Sequence, residues 1–147
     1  MPIITVKIAP NRPVADLERK VASLAAAAST ELLRKRAELT AVVVERVNPA
    51  CWFAGGPSLA EPARSSFWLE IKVVEGTNTK EEREAFVASI FEAMRTLLGD
   101  LHPESYVHVE GVKADAYGYG GLTQERRFIA SRLGVAPEGQ PNKAKAA

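Results

Sequence analysis

The chain opens on a dense apolar run, Ile3-Ile4-Thr5-Val6-Lys7-Ile8. A run this short, rich in β-branched residues and bounded by turn residues, reads as a strand. From about Pro13 to Arg36 the spacing changes: Val14, Leu17, Val21, Leu24, Ala28 and Leu32 recur in steps of three and four. That period lines one face of a helix. A second strand follows over Thr40 to Val47, and the chain then enters the turn Trp52-Phe53-Ala54-Gly55-Gly56.

The same succession recurs with a shift of about 65 positions, and a repeat of this kind defines the architecture. Phe67-Trp68-Leu69-Glu70-Ile71-Lys72-Val73 is the strand of the second copy, and Phe86, Val87, Ile90, Met94 and Leu97 form the stripe of a helix from about Thr79 to Leu98. Thr79 followed by Glu82 has the spacing of a capping box, and Gly99 is a natural stop. Tyr106 to Val112 is the closing strand, and Tyr117-Gly118-Tyr119-Gly120-Gly121 the matching turn. Right-handed crossovers make the strands of each copy parallel. The pattern therefore predicts an α+β fold: two tandem βαβ units, about 2–56 and 67–121, forming a four-stranded mixed sheet with two helices on one face. One domain over 1–133 and a flexible tail over 134–147, GVAPEGQPNKAKAA, complete the expected organisation. The other sheet face is expected to carry Val, Thr and aromatic residues, which points to a homo-oligomer.

Composition narrows the function without naming it. At 147 residues, 46% apolar and 25% charged, the chain suits one compact soluble domain. A net charge of +1 gives no electrostatic reason for a nucleic-acid or membrane partner. No stretch approaches the ~20 apolar residues of a membrane span, and no signal-peptide core follows Met1. Cys51 is the single cysteine, so no intrachain disulfide is available, and a reducing, cytoplasmic location is expected. With only His102 and His108 beside that cysteine, no metal site is expected.

Pro2 is the candidate for chemistry. Removal of Met1 before so small a residue leaves a free secondary amine, which accepts a proton as a proline amide cannot. A free α-amino group titrates near ~8. An apolar pocket or a nearby cation lowers that value toward working pH, where a general base is most effective.

Met1-Pro2-Ile3-Ile4 at the head of a βαβ unit that ends in an aromatic-Gly-Gly turn resembles the tautomerase superfamily. Each half is similar to 4-oxalocrotonate tautomerase; the length and doubling are similar to macrophage migration inhibitory factor. The resemblance covers about residues 2–121. It implies a homotrimer, no cofactor, and Pro2 as general base acting on a small carboxylate substrate. It also implies site roles. Arg12 matches a carboxylate-binding arginine and Lys35 an active-site lysine. Tyr106 and His108, on one strand face, match residues that steady an enolate oxygen. Trp52 and Tyr117 stand at the aromatic wall. Gln124 to Arg127 reads as solvated surface.

The resemblance is incomplete. The strand Thr40-Ala41-Val42-Val43-Val44 lacks the carbonyl-polarising arginine of the first family type, and Val74-Glu75-Gly76-Thr77 lacks the arginines of the chloroacrylate dehalogenases. The aspartate and arginine pair of the decarboxylase group has no assigned place. These absences favour a keto–enol tautomerase acting on a 2-oxo or 2-hydroxy-dienoic acid, of the kind met in aromatic breakdown. The alternatives are a lyase or hydratase in which protonated Pro2 acts as an acid, and a trimeric binding protein without turnover.

Overall fold

The structure, a computed structural model, describes residues 2–137. Met1 and residues 138–147, most of the expected tail, lie outside the described residues. The two copies appear in order as β1 (Ile3–Ala9), α1 (Leu17–Glu31), β2 (Ala41–Arg46), then β3 (Ser66–Val74), α2 (Lys80–Leu98), β4 (Tyr106–Val112). A hairpin of β5 (Gly118–Tyr119) and β6 (Leu122–Thr123) leads into α3 (Gln124–Leu133).

The four-stranded sheet has the order β2-β1-β3-β4. β1 runs parallel to β2, with Ile3 opposite Ala41 and Ile8 opposite Arg46. It runs antiparallel to β3, with Ile3 opposite Lys72 and Ala9 opposite Ser66. The Ser66 hydroxyl meets the Glu104 carbonyl at 3.2 Å and the Ser105 hydroxyl at 3.0 Å, while Lys72 at the other end of β3 reaches Glu110. β4 therefore runs in the same direction as β3, as a βαβ crossover requires.

Strand side chains alternate between faces. Ile4, Val6 and Ile8 of β1 and Leu69 and Ile71 of β3 are fully buried in one cluster with Val21 and Ala25 of α1 and Phe86, Ile90 and Met94 of α2. Both helices thus cover one sheet face. Burying such side chains stabilises by roughly 1.5–3 kcal/mol each, which is why the period-two and period-3.6 patterns locate the same core.

Local chemistry sets the boundaries. α1 is shorter than the periodicity predicts, because Asp16 at its head has φ 52 and Arg34 beyond its end has φ 56. Neither left-handed residue can continue a right-handed helix. α2 begins as expected: the Thr79 hydroxyl accepts from the Glu82 N–H and the Glu82 carboxylate accepts from the Thr79 N–H, a complete capping box. It stops at Gly99, whose φ is 85 and where a Cβ would lie 3.0 Å from the Arg12 guanidinium carbon.

Two expectations change. The helix α3 occupies the segment Gln124 to Arg127 read as plain surface. Only Ala130 in it is buried, and Arg126, Arg127 and Arg132 leave it little apolar period, so its N-cap, Thr123 accepting from the Arg126 N–H, is its main local signal. The outer sheet face also differs. Val43, Thr5, Trp68 and Tyr106 stand there as expected, but so does an ion cluster in which Lys72 bridges Glu70 and Glu110.

The chain divides into two compact units. Among the described residues, the first comprises 2–73 and 78–110, and holds the core just described; the second comprises 74–77 and 111–137. No helix among the described residues is long and apolar enough to cross a membrane.

Candidate active site

Pro2 is buried, and its carbonyl accepts from the Ala41 N–H at 3.2 Å. Two residues before Ile4, it shares the parity of the buried positions of β1 and so lies on the helix-covered side of the sheet. Around this end of β1 stand the start of β2, the end of α1 and, through Lys72 opposite Ile3, the end of β3 that leads toward α2.

Lys35 belongs to this end. Its N–H donates to the Ser29 carbonyl at 3.0 Å, across the left-handed Arg34, in the manner of a Schellman turn. The loop is then pinned to the first turn of α2. Asn78 donates from Nδ2 to the Leu33 carbonyl at 3.0 Å and to Glu82 at 2.9 Å, and Arg34 pairs with Glu82 at 2.5 Å. Half-burial holds the Lys35 ammonium below the ordinary lysine range; Glu82 opposes this, while Arg34 and Arg83 add to it. The Glu82 carboxyl is held low, first by Asn78, then by the Thr79 N–H and the cations. Arg83, one residue further along α2, has a buried Nε with no hydrogen-bond partner.

The other expected residues stand elsewhere. Arg12 lies beyond the opposite end of β1, where its Nη2 donates to the Leu97 carbonyl at 3.4 Å. There it satisfies the C-terminus of α2, where a cation is favoured. Trp52 packs against Ala9 and Leu59 at that same end. Tyr106 and His108 share a face, as their spacing predicts. Both contact Trp68, with ring centroids 5.9 and 6.2 Å away, and Trp68 lies opposite Lys7. From Ile3 to Ala9 the strand spans roughly 20 Å, so within one chain neither Arg12 nor Trp52 approaches Pro2. Tyr117 belongs to the second unit, where its carbonyl accepts from the Gln124 N–H at 2.8 Å and it borders a hollow shared with Asp115 and Leu122.

Two residues near the expected ones carry little signal in the sequence. Trp68 was read only as a strand residue, although period two places it beside the Tyr106 and His108 face. Arg83 has no sequence signal beyond being an arginine in a helix with many charges. Among the described residues, no three His, Cys, Asp or Glu side chains gather as a metal site would require.

No family profile matches the sequence, and no curated protein matches it. Solved structures do match its fold. The protein Pt0534 inactivated by 2-oxo-3-pentynoate superposes with a TM-score of 0.73 at 14% identity, over 85% of this chain and 98% of that one. Native fused 4-OT gives 0.68 at 18% identity, over 84% and 96%. FG41 malonate semialdehyde decarboxylase inhibited by 3-bromopropiolate gives 0.66 at 16% identity, over 91% and 99%. The chain shares the fold of these fused 4-OT, macrophage migration inhibitory factor-like and decarboxylase structures.

Proposed function

We propose that the protein is a cofactor-independent tautomerase that moves a proton between carbon and oxygen, or between two carbons, of a small 2-oxo or 2-hydroxy-dienoic acid. The observation that carries this reading is the burial of Pro2 at the head of β1, at the sheet end where the partly desolvated Lys35 stands. With Met1 removed, the Pro2 nitrogen is a secondary amine whose proton affinity falls through burial and a neighbouring cation. It takes the proton from the carbon next to the carbonyl. The electron pair of that C–H bond moves to form the enolate, and the protonated amine returns the proton at the new position. Lys35 holds the substrate carboxylate by charge.

Fused 4-OT is described as a trimer in several solved forms, both symmetric and asymmetric. A homotrimer fits the mixed outer face of this sheet.

The test is activity on phenylenolpyruvate and 2-hydroxymuconate, with intact mass to establish the N-terminus. Removal of Met1 and loss of turnover by at least ~100-fold in Pro2→Ala are expected, the scale of a positioned general base. A retained Met1, or a Pro2→Ala variant with full activity, overturns the reading.

A second reading is favoured by the likeness to the malonate semialdehyde decarboxylase: protonated Pro2 acting as an acid in a lyase or hydratase. The pH profile separates the two. A base loses activity below the proline pKa, and an acid loses it above.

A further inference from the structure

Much of the apolar surface that the described residues leave exposed sits on α3 and just beyond its end. Phe128 is 58% exposed, Ile129 49%, Leu133 70% and Val135 55%. Apolar side chains gathered on one short exposed element mark an interaction surface. We infer that this face of α3 is a contact between two copies of the chain, in which the two helices lie antiparallel about a twofold axis. The inference owes nothing to the chemistry assigned to Pro2.

The first argument is the register of the helix. Residues three and four apart share a helix face. Gln124, Arg127 and Ala130 follow steps of three and are the half-buried and buried positions of α3. Arg127 donates from Nη2 to the Tyr119 carbonyl at 2.8 Å, and its guanidinium lies 3.8 Å from the centre of the Tyr119 ring. That stripe holds α3 to its own hairpin. Glu125, Phe128, Ile129 and Arg132 lie on the opposite face, and all four are exposed.

The second argument is charge, and it names the occupant. From its N-terminal to its C-terminal end the outward face reads acid, apolar pair, base, with equal spacing on each side of the pair. An antiparallel copy sets Glu125 of each helix against Arg132 of the other, twice, and brings each Phe128 onto the other copy's Ile129. A parallel copy would set like charges together. Neither Glu125 nor Arg132 joins an ion pair among the described residues, and the Arg132 guanidinium lies 5.1 Å from the centre of the Phe128 ring. The face is complementary to itself, as an isologous contact requires.

The third argument is shape. A hollow of about 680 Å³ runs beside this face, with Ile129, Ala130, Leu133 and Val135 as its apolar wall. Phe128 is not part of that wall. Its ring can therefore fill the hollow of the other copy, and symmetry repeats the exchange. Two ten-residue helices cover less than a standard interface of about 1,600 Å², so the association is reversible and weak.

Analytical ultracentrifugation of the full chain over a concentration series tests this. The parent's mass should double between micromolar and millimolar concentration, whatever ring the sheet faces form. Glu125→Arg and Arg132→Glu should each weaken the doubling about tenfold or more, because each places two like-charge pairs in the contact. A mixture of these two variants should recover it, since opposite charges then meet at both ends. Phe128→Ala should weaken it about tenfold, as the loss of a central aromatic does. Circular dichroism checks that each variant is folded. The inference is overturned if the parent's mass does not double, if either charge variant doubles like the parent, or if their mixture stays undoubled. A parent that stays undoubled but sediments with phosphatidylserine vesicles also overturns it, and gives the face to an anionic membrane. Pro2→Ala should associate as the parent does, so loss of turnover and loss of this contact are read separately.

Discussion

Lys35 occupies a costly position. Its ammonium is half-buried beside two guanidinium groups, and burial is the main cause of its lowered proton affinity. A lysine whose folded value lies below its unfolded one makes the unfolded state the better proton binder. Stability therefore rises with pH between the lowered value and the ordinary 10.5, and the charged form is penalised below that window. Lys35→Met should accordingly keep or raise the melting temperature at neutral pH, and should flatten the rise in stability toward alkaline pH. The same variant should weaken carboxylate binding. In the parent, that binding should fade as pH climbs through the lowered Lys35 value. A Lys35→Met protein with lower neutral-pH stability and unchanged acid binding would contradict this account. Under the proposed function, the residue is an instance of stability given up where a site needs charge.

At the scale of elements, the loop that carries Lys35 depends on how α2 begins. Thr79 and Glu82 close the capping box, and Glu82 also anchors Arg34 and Asn78, which fix the loop carrying Lys35. Thr79→Ala should cost about 1 kcal/mol, the usual loss for an N-cap hydroxyl, and lower the melting temperature by a few degrees. Because the cap and the loop share Glu82, Glu82→Gln should disturb ligand binding more than Thr79→Ala does at equal loss of stability. Denaturant melts run beside ligand titrations decide the comparison. The capping box was legible because both partners lie within four residues. The second use of Glu82 was not, since its partner Arg34 lies on the loop after α1, far from it in the chain.

The whole molecule presents an outer sheet face that is neither a plain apolar patch nor a plain polar surface. Lys72 bridges Glu70 and Glu110 among Trp68, Tyr106, Thr5 and Val43. The Glu110 carboxyl is held low, chiefly by its hydrogen bond from Lys72, and Lys72 is held high by both carboxylates. A depressed carboxyl contributes in full above its unfolded value, 4.5, and that contribution is lost as pH falls through the folded value. A raised lysine contributes in full below 10.5. The cluster therefore supports the fold across neutral pH and fails in acid. Under the proposed trimer, Lys72→Ala leaves two carboxylates facing each other in a covered face. Sedimentation should then shift toward monomer, and more so for the parent as pH drops below 4.5. An unchanged sedimentation profile for Lys72→Ala would argue against this face as the interface.

Periodicity and local caps were sufficient to determine the strands, both main helices and the sheet that joins them, because those signals repeat over adjacent residues and act through burial of one face. Ile4, Val6 and Ile8 on one side of β1, and Phe86, Ile90 and Met94 along α2, are enough to orient each element. The pairing of Tyr106 with His108 was legible for the same reason. What only the tertiary structure decided is which charges meet. Arg12 went to the end of α2, while Arg83, silent in the sequence, came to stand near Lys35. Charge pairing depends on distances between segments far apart in the chain, and no local period encodes those distances.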